Sequence, residues 1–156
     1  MNKFLMTLCL MFLTTPSFAQ TAPKPENVAR LTEFMSKSAG PYRKIADGIW
    51  ETSYKGKNLS RVLVRIATAG DGVYFIVSLF ARDTLTLDQD FLLKIAEFNA
   101  NYDYVKLALE KATLDVRVDV YGAHLLDLAA FNALENQTAL AADAAYALMK
   151  APVPKP

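Results

Sequence analysis

The chain carries one cysteine, one histidine and one tryptophan in 156 residues, and each scarcity removes a class of chemistry. Cys9 lies in the first apolar stretch, so there is no second thiol for a disulfide and no thiolate cluster for zinc. His124, even with Asp127 three residues on, falls short of the three or four protein ligands that zinc takes. It reads instead as a turn residue between the last strand and the last helix. No serine sits in a G-x-S-x-G elbow, which leaves a Ser-His-Asp triad without support. Gly70 and Gly72 flank Asp71, but no lysine follows at P-loop spacing, and a hairpin turn accounts for them. Charge of one sign is also lacking: 17 Lys and Arg meet 16 Asp and Glu. The electrostatic footprint that nucleic acid or an anionic membrane requires is therefore missing.

Paired carboxylates need neither histidine nor cysteine, and two pairs stand close in sequence. Asp88 and Asp90 fall at an expected helix start, where acids suit the macrodipole. Asp115 and Asp119 share a strand face with Arg117 between them, the pattern of a solvated ion-pair ladder. Neither pair shows a feature that would perturb a pKa. No catalytic residue, cofactor or metal ligand is assigned. Asn58-Leu59-Ser60 and Asn136-Gln137-Thr138 match glycosylation sequons by chance, the second inside an expected helix.

The first twenty residues have a clear order of features. Lys3 gives a short positive start, Phe4–Leu13 is almost unbroken apolar sequence, and Thr14, Thr15 and Pro16 end it. Ser17-Phe18-Ala19 then supplies a small-x-small cleavage site. This is the pattern of a secretory signal peptide, and the apolar run is about half the ~20 residues that span a bilayer as a helix. Cys9 follows Leu8 and comes too early for lipidation. Cleavage after Ala19 is expected to deliver the chain to the periplasm or, if export continues, outside the cell. The loss of Lys3 leaves 16 basic against 16 acidic residues. The segment Gln20–Pro156 is the length of one domain, large enough to bury a core.

Residues 20–25 read as a short linker and 150–156 as a Pro-rich tail, leaving one domain over 26–149. A helix is expected over Glu26–Ser38 from the spacing of Val28, Leu31, Phe34 and Met35. Strands follow at Ile49–Tyr54, Leu59–Ala67 and Val73–Ala81, the last two joined by the hairpin signal Ala69-Gly70-Asp71-Gly72. Val73–Ala81 is apolar on both faces and so is placed centrally. Thr86-Leu87-Asp88-Gln89 matches a capping box opening a helix with Phe91, Ile95, Phe98 and Tyr102 on one stripe. Tyr104–Glu110 and Leu114–Tyr121 alternate as a second hairpin. Asp127 is placed as the cap of a last helix with Phe131, Leu134, Ala145 and Leu148 on its stripe. The result is α+β: a single domain of order α-β-β-β-α-β-β-α, with a largely antiparallel five-stranded sheet and helices on one face.

Trp50, Tyr54, Tyr74, Tyr104 and Tyr121 all fall on expected strands. Some must lie off the helix-covered face, which makes the five the candidate partner-binding residues, since aromatics are enriched in interface cores.

This order of elements resembles the YbjN family, labelled bacterial sensory-transduction regulators. The likeness rests on Trp50 and Tyr54, on Leu92-x-x-Ile95-x-x-Phe98-Asn99, and on Tyr102 with the strand Tyr104-Val105-Lys106-Leu107. The second hairpin strand and an alanine-rich final helix complete it, over roughly residues 26–149. The resemblance implies a fold like that of the type III secretion chaperones, no catalytic residues, and a module that forms a homodimer and holds extended client segments. The expected function is that of an exported, non-enzymatic protein-binding or chaperone-like module, working through an aromatic sheet face or by β-addition at a strand edge. The alternative is an accessory sensor domain of an envelope enzyme or signalling protein.

Overall fold

The computed structural model describes residues 22–38 and 40–150; the expected signal peptide and the tail from Ala151 lie outside them. Helix α1 spans Pro25–Lys37, followed by strands β1 Arg43–Ala46, β2 Ile49–Tyr54, β3 Val62–Ala69 and β4 Gly72–Ala81. Helix α2 spans Gln89–Asn101, β5 Lys106–Leu109, β6 Thr113–Tyr121 and α3 Leu128–Lys150. The six strands form one antiparallel sheet of order β1-β2-β3-β4-β6-β5. The class is α+β, as the alternation predicts, and β4 is central. The sheet has six strands rather than five because Arg43–Ala46 adds an edge strand. All four of its residues are exposed, and its register with β2 shifts between Lys44 and Ala46.

Alternation along the strands separates two faces. Val62, Val64 and Ile66, then Val73, Phe75 and Val77, then Leu114, Val116 and Val118 point to one side and are buried. The helices cover that side. Phe131 of α3 is fully buried, its ring 5.5 Å from those of Phe34 in α1 and Phe75 in β4. Helix α3 is the main lid. Its buried stripe runs Phe131, Glu135, Thr138, Ala142 and Ala145, at spacings of three and four, and its alanines let backbone and sheet approach closely. Thr138, the last residue of the second sequon, is fully buried on this stripe.

Local chemistry fixes the element ends. The αL residue Gly70, φ +54°, opens the two-residue turn between β3 and β4. Asp88 caps α2 by accepting from the Phe91 N–H at 2.8 Å, so the cap is Asp88 and not Thr86 of the expected capping box. Asp127 caps α3 as expected, accepting from the Ala130 N–H at 2.7 Å. The expected linker is not a free tether. Pro23 bridges to Gly70, the Lys24 ammonium meets Asp71 at 2.5 Å, and Pro25 is the first residue of α1.

Two side chains tie loops to the frame. Asp143 of α3 accepts from the N–H groups of Lys57, Asn58 and Leu59 at 3.1, 2.9 and 2.8 Å. Burial opposes its ionisation, but those N–H groups outweigh it and hold its pKa below the usual carboxylate range. Asn99 places its amide against Leu107, donating to the carbonyl at 3.0 Å and accepting from the N–H at 2.7 Å. The outward backbone of edge strand β5 is thus occupied at its centre by a side chain of this same chain, which disfavours strand addition there.

Candidate functional site on the open face of the sheet

The other side of the sheet has none of the described helices packed on it, and the pairing registers show what it presents. Arg43 lies opposite Glu51, Glu51 opposite Arg65, Arg65 opposite Ile76, Ile76 opposite Arg117, and Arg117 opposite Lys106. One row crossing all six strands therefore carries four cations and one carboxylate around a central isoleucine. Ile76 is only 4% exposed although no helix covers it, so its neighbours on this face bury it. The next row sets Ala67 opposite Tyr74 and Tyr74 opposite Asp119.

Arg117 is locked in place. Its Nε and one terminal nitrogen donate to both oxygens of Asp119 at 2.8 and 2.9 Å, and the other terminal nitrogen meets Glu110 at 2.5 Å. Burial works against its charge, but the two carboxylates outweigh it and raise its pKa further. The guanidinium stands 5.9 Å from the centre of the Tyr74 ring, and Tyr121 meets Tyr74 edge-on at 6.4 Å. Burial and the negative groups nearby raise the Tyr74 pKa, keeping it a neutral phenol. A cleft of about 460 Å³ opens beside this cluster, lined by Tyr104, Lys106, Ala108, Arg117 and Asp119. Lys106 itself closes the end of α2, donating to the carbonyls of Asn99 and Tyr102.

The structure divides the five candidate aromatics. Tyr74, Tyr104 and Tyr121 belong to this face, the last two 71% and 73% exposed. Tyr104 lies before β5 rather than on it. Trp50 and Tyr54 share the parity of Thr52 and point to the helix side, where Trp50 is buried in the core. They are removed from any surface by the same alternation that exposes the others.

The expected solvated ladder of Asp115, Arg117 and Asp119 is corrected in one member. Asp119 pairs with Arg117, but Asp115 is 3% exposed and its Oδ1 has no hydrogen-bond partner. Burial raises its pKa, against the opposing hydrogen bonds of Thr113 and Ser78. Asp88 and Asp127 serve as helix caps, and His124 is exposed in the turn before α3. Among the described residues no group of three His, Cys, Asp or Glu side chains could hold a metal ion. No described helix is long and apolar enough to cross a membrane.

A second polar site lies under the lid, unanticipated from sequence. Glu135, 1% exposed, accepts hydrogen bonds from the hydroxyls of Tyr42, at 2.8 Å, and Tyr54. Burial raises the carboxyl pKa, while the two hydroxyls oppose the rise. Both phenols are pushed up in turn, by burial first and then by the carboxylate. The signal was present: Glu135 stands four residues after Phe131, on the helical stripe that faces the core.

Among proteins of known character, no family model matches the chain and no curated protein matches its sequence. Among solved structures, YbjN from E. coli, described as "a putative transcription regulator", superposes with a TM-score of 0.54 at 12% identity. The match covers 77% of this chain and 87% of that one. The chain has a YbjN-like fold. At that identity the likeness is one of architecture and carries no residue roles. Among the described residues, the YbjN-like frame leaves one sheet face without a helix, and that face holds the locked Arg117, the exposed tyrosines and the cleft.

Proposed function

We propose that this chain is an exported, non-catalytic module that binds a defined protein partner across the open face of its sheet. The observation that carries the reading is the bare face itself. Tyr74 and Tyr121 stand on it beside Arg117, Tyr104 lines its cleft, and none of the described helices packs over it. Tyrosine and arginine are the side chains over-represented at the energetic centres of protein interfaces. Arg117, fixed by two carboxylates, is pre-organised, which lowers the entropy lost on binding. Export follows from the signal-peptide pattern of the first twenty residues.

The interleaved charges favour one defined partner over a general holder of unfolded chains. A holdase surface needs a broad apolar patch, and this face alternates cations, carboxylates and tyrosines instead. That pattern suits a regulatory role, the one suggested by the description of E. coli YbjN. The near-equal numbers of basic and acidic residues point to a protein rather than a nucleic acid as its target.

The test is affinity capture from envelope extract with the wild type and a Tyr104→Ser/Tyr121→Ser double variant. Both tyrosines are more than 70% exposed, so stability should stay within about 0.5 kcal/mol of the wild type. One stoichiometric partner held by the wild type and lost from the variant supports the reading. Equal capture by both, or a broad spread of unfolded proteins, contradicts it.

A further inference from the structure

A second cleft lies away from the open face, where the chain enters β1 and leaves β2. It encloses about 390 Å³ beside Ser38 at the end of α1 and Asn132 near the start of α3. Tyr42, Tyr54 and Pro41 give it apolar walls, and Ser38, Ser53 and Asn132 give it polar groups, each partly or fully exposed. None of the described residues that line it is charged. Both phenols donate to Glu135 behind them, Tyr42 at 2.8 Å, which fixes the two rings. The side-chain oxygen of Asn132 accepts from the Ser38 hydroxyl at 2.7 Å, leaving the amide N–H groups to donate to a ligand. Gly40 helps to keep the cleft open. A Cβ there would stand 3.3 Å from the Tyr42 ring and 3.4 Å from the Thr52 hydroxyl oxygen.

We propose that this cleft binds a neutral saccharide, with a sugar ring resting on the tyrosines and its hydroxyls meeting Asn132, Ser53 and Ser38. A sugar has an apolar C–H face and a rim of hydroxyls that both donate and accept. The cleft matches it with aromatic walls, an amide donor and neutral hydroxyls. Its volume is at the lower end of the about 300–1,000 Å³ of small-molecule sites, which suits about one or two rings and not a folded partner. An anion meets no cation among the described lining residues. An ammonium meets no carboxylate at contact, because Glu135 is 1% exposed and lies behind the phenols. Either would give up hydration without a charged partner, whereas a sugar exchanges one set of hydrogen bonds for another. The rings held by Glu135 are already in place, which lowers the ordering cost of binding. This site is separate from the open face and does not depend on the reading of it.

The test is two-dimensional NMR of the isotope-labelled protein, made from its full-length chain and titrated with glucose, galactose, N-acetylglucosamine and their disaccharides. Spermidine and inorganic phosphate serve as charged probes. The expected result is millimolar or tighter binding of at least one sugar, with shifts clustered at Gly40, Ser53 and Asn132 rather than at Tyr104 and Tyr121. Asn132→Ala changes an exposed side chain, so it should melt close to the wild-type temperature and bind about three- to tenfold more weakly. Gly40→Ala, which narrows the cleft, should weaken binding as well, and Tyr104→Ser/Tyr121→Ser should bind the sugar as the wild type does. Absence of shifts at these three positions with every sugar overturns the proposal. So does equal sugar binding by the wild type and Asn132→Ala, or a response there to spermidine or phosphate in place of the sugars.

Discussion

Replacing Phe131 by alanine is expected to remove about 3–5 kcal/mol of unfolding free energy, measured by chemical denaturation. Phe131 is fully buried, and its ring is the hinge of three layers, 5.5 Å from Phe34, 5.5 Å from Phe75 and 6.5 Å from Tyr42. The lost contacts cannot be recovered by local collapse, because α1, α3 and the sheet all abut the ring and cannot close on the space at once. A domain of this size has about 5–15 kcal/mol in total, so the variant would sit near its folding threshold. A loss below about 1 kcal/mol would mean that α3 is not the lid that closes the core.

Tyr54→Phe is expected to cost about 1.5–3 kcal/mol at neutral pH, the usual worth of a hydrogen bond to a charged group. The ring keeps its packing, so the loss isolates the hydroxyl that Tyr54 donates to Glu135. The effect should depend on pH with a definite sign. Burial raises the Glu135 pKa above its ordinary value, so in that interval the folded protein binds more protons than the unfolded chain. Stability therefore falls as pH rises from the ordinary glutamate value through the raised one. The Tyr54 hydroxyl holds that rise in check; removing it widens the interval and steepens the fall. The variant should come closest to the wild type at acid pH, where Glu135 is protonated in both. Asp115, also raised, adds to the fall, whereas Asp143, depressed, contributes stability present above the ordinary aspartate pKa and lost as pH drops through its folded value. A penalty for Tyr54→Phe that is equal at all pH values would show that Glu135 is not its partner.

Much of the frame is legible in the sequence because the local signals agree. Val62, Val64 and Ile66 alternate with Leu63 and Arg65, Gly70-Asp71 marks a tight turn, and Phe91, Ile95, Phe98 and Tyr102 repeat at helical spacing. Strand β1 escapes because Arg-Lys-Ile-Ala is four exposed residues at an edge, too short and too charged to alternate visibly. Asp115 escapes for a different reason. Alternation assigns a face but not an exposure, and the bare face of a sheet is still partly buried by its own side chains. The same limit applied to the aromatics: parity separates Trp50 and Tyr54 from Tyr74 and Tyr121 only once it is known which parity the helices cover.

The row of Arg43, Glu51, Arg65, Ile76, Arg117 and Lys106 could not be read from the sequence. Its members lie up to 74 positions apart and meet only through five pairing registers. Asn99 and Asp143 belong with it. Each is an ordinary polar residue on a helix until the fold brings β5 or the loop after β2 against it. Long-range polar contacts of this kind leave no local periodicity, although they decide which surfaces remain open.

The most direct test is site-specific photocrosslinking in cells that export the protein. A photoreactive benzoylphenylalanine replaces either Tyr121 on the bare face or Lys37, which is exposed at the end of α1. The open-face account predicts a discrete adduct with another polypeptide from position 121 and none from position 37. Adducts from position 37 alone, or none from either, would contradict it.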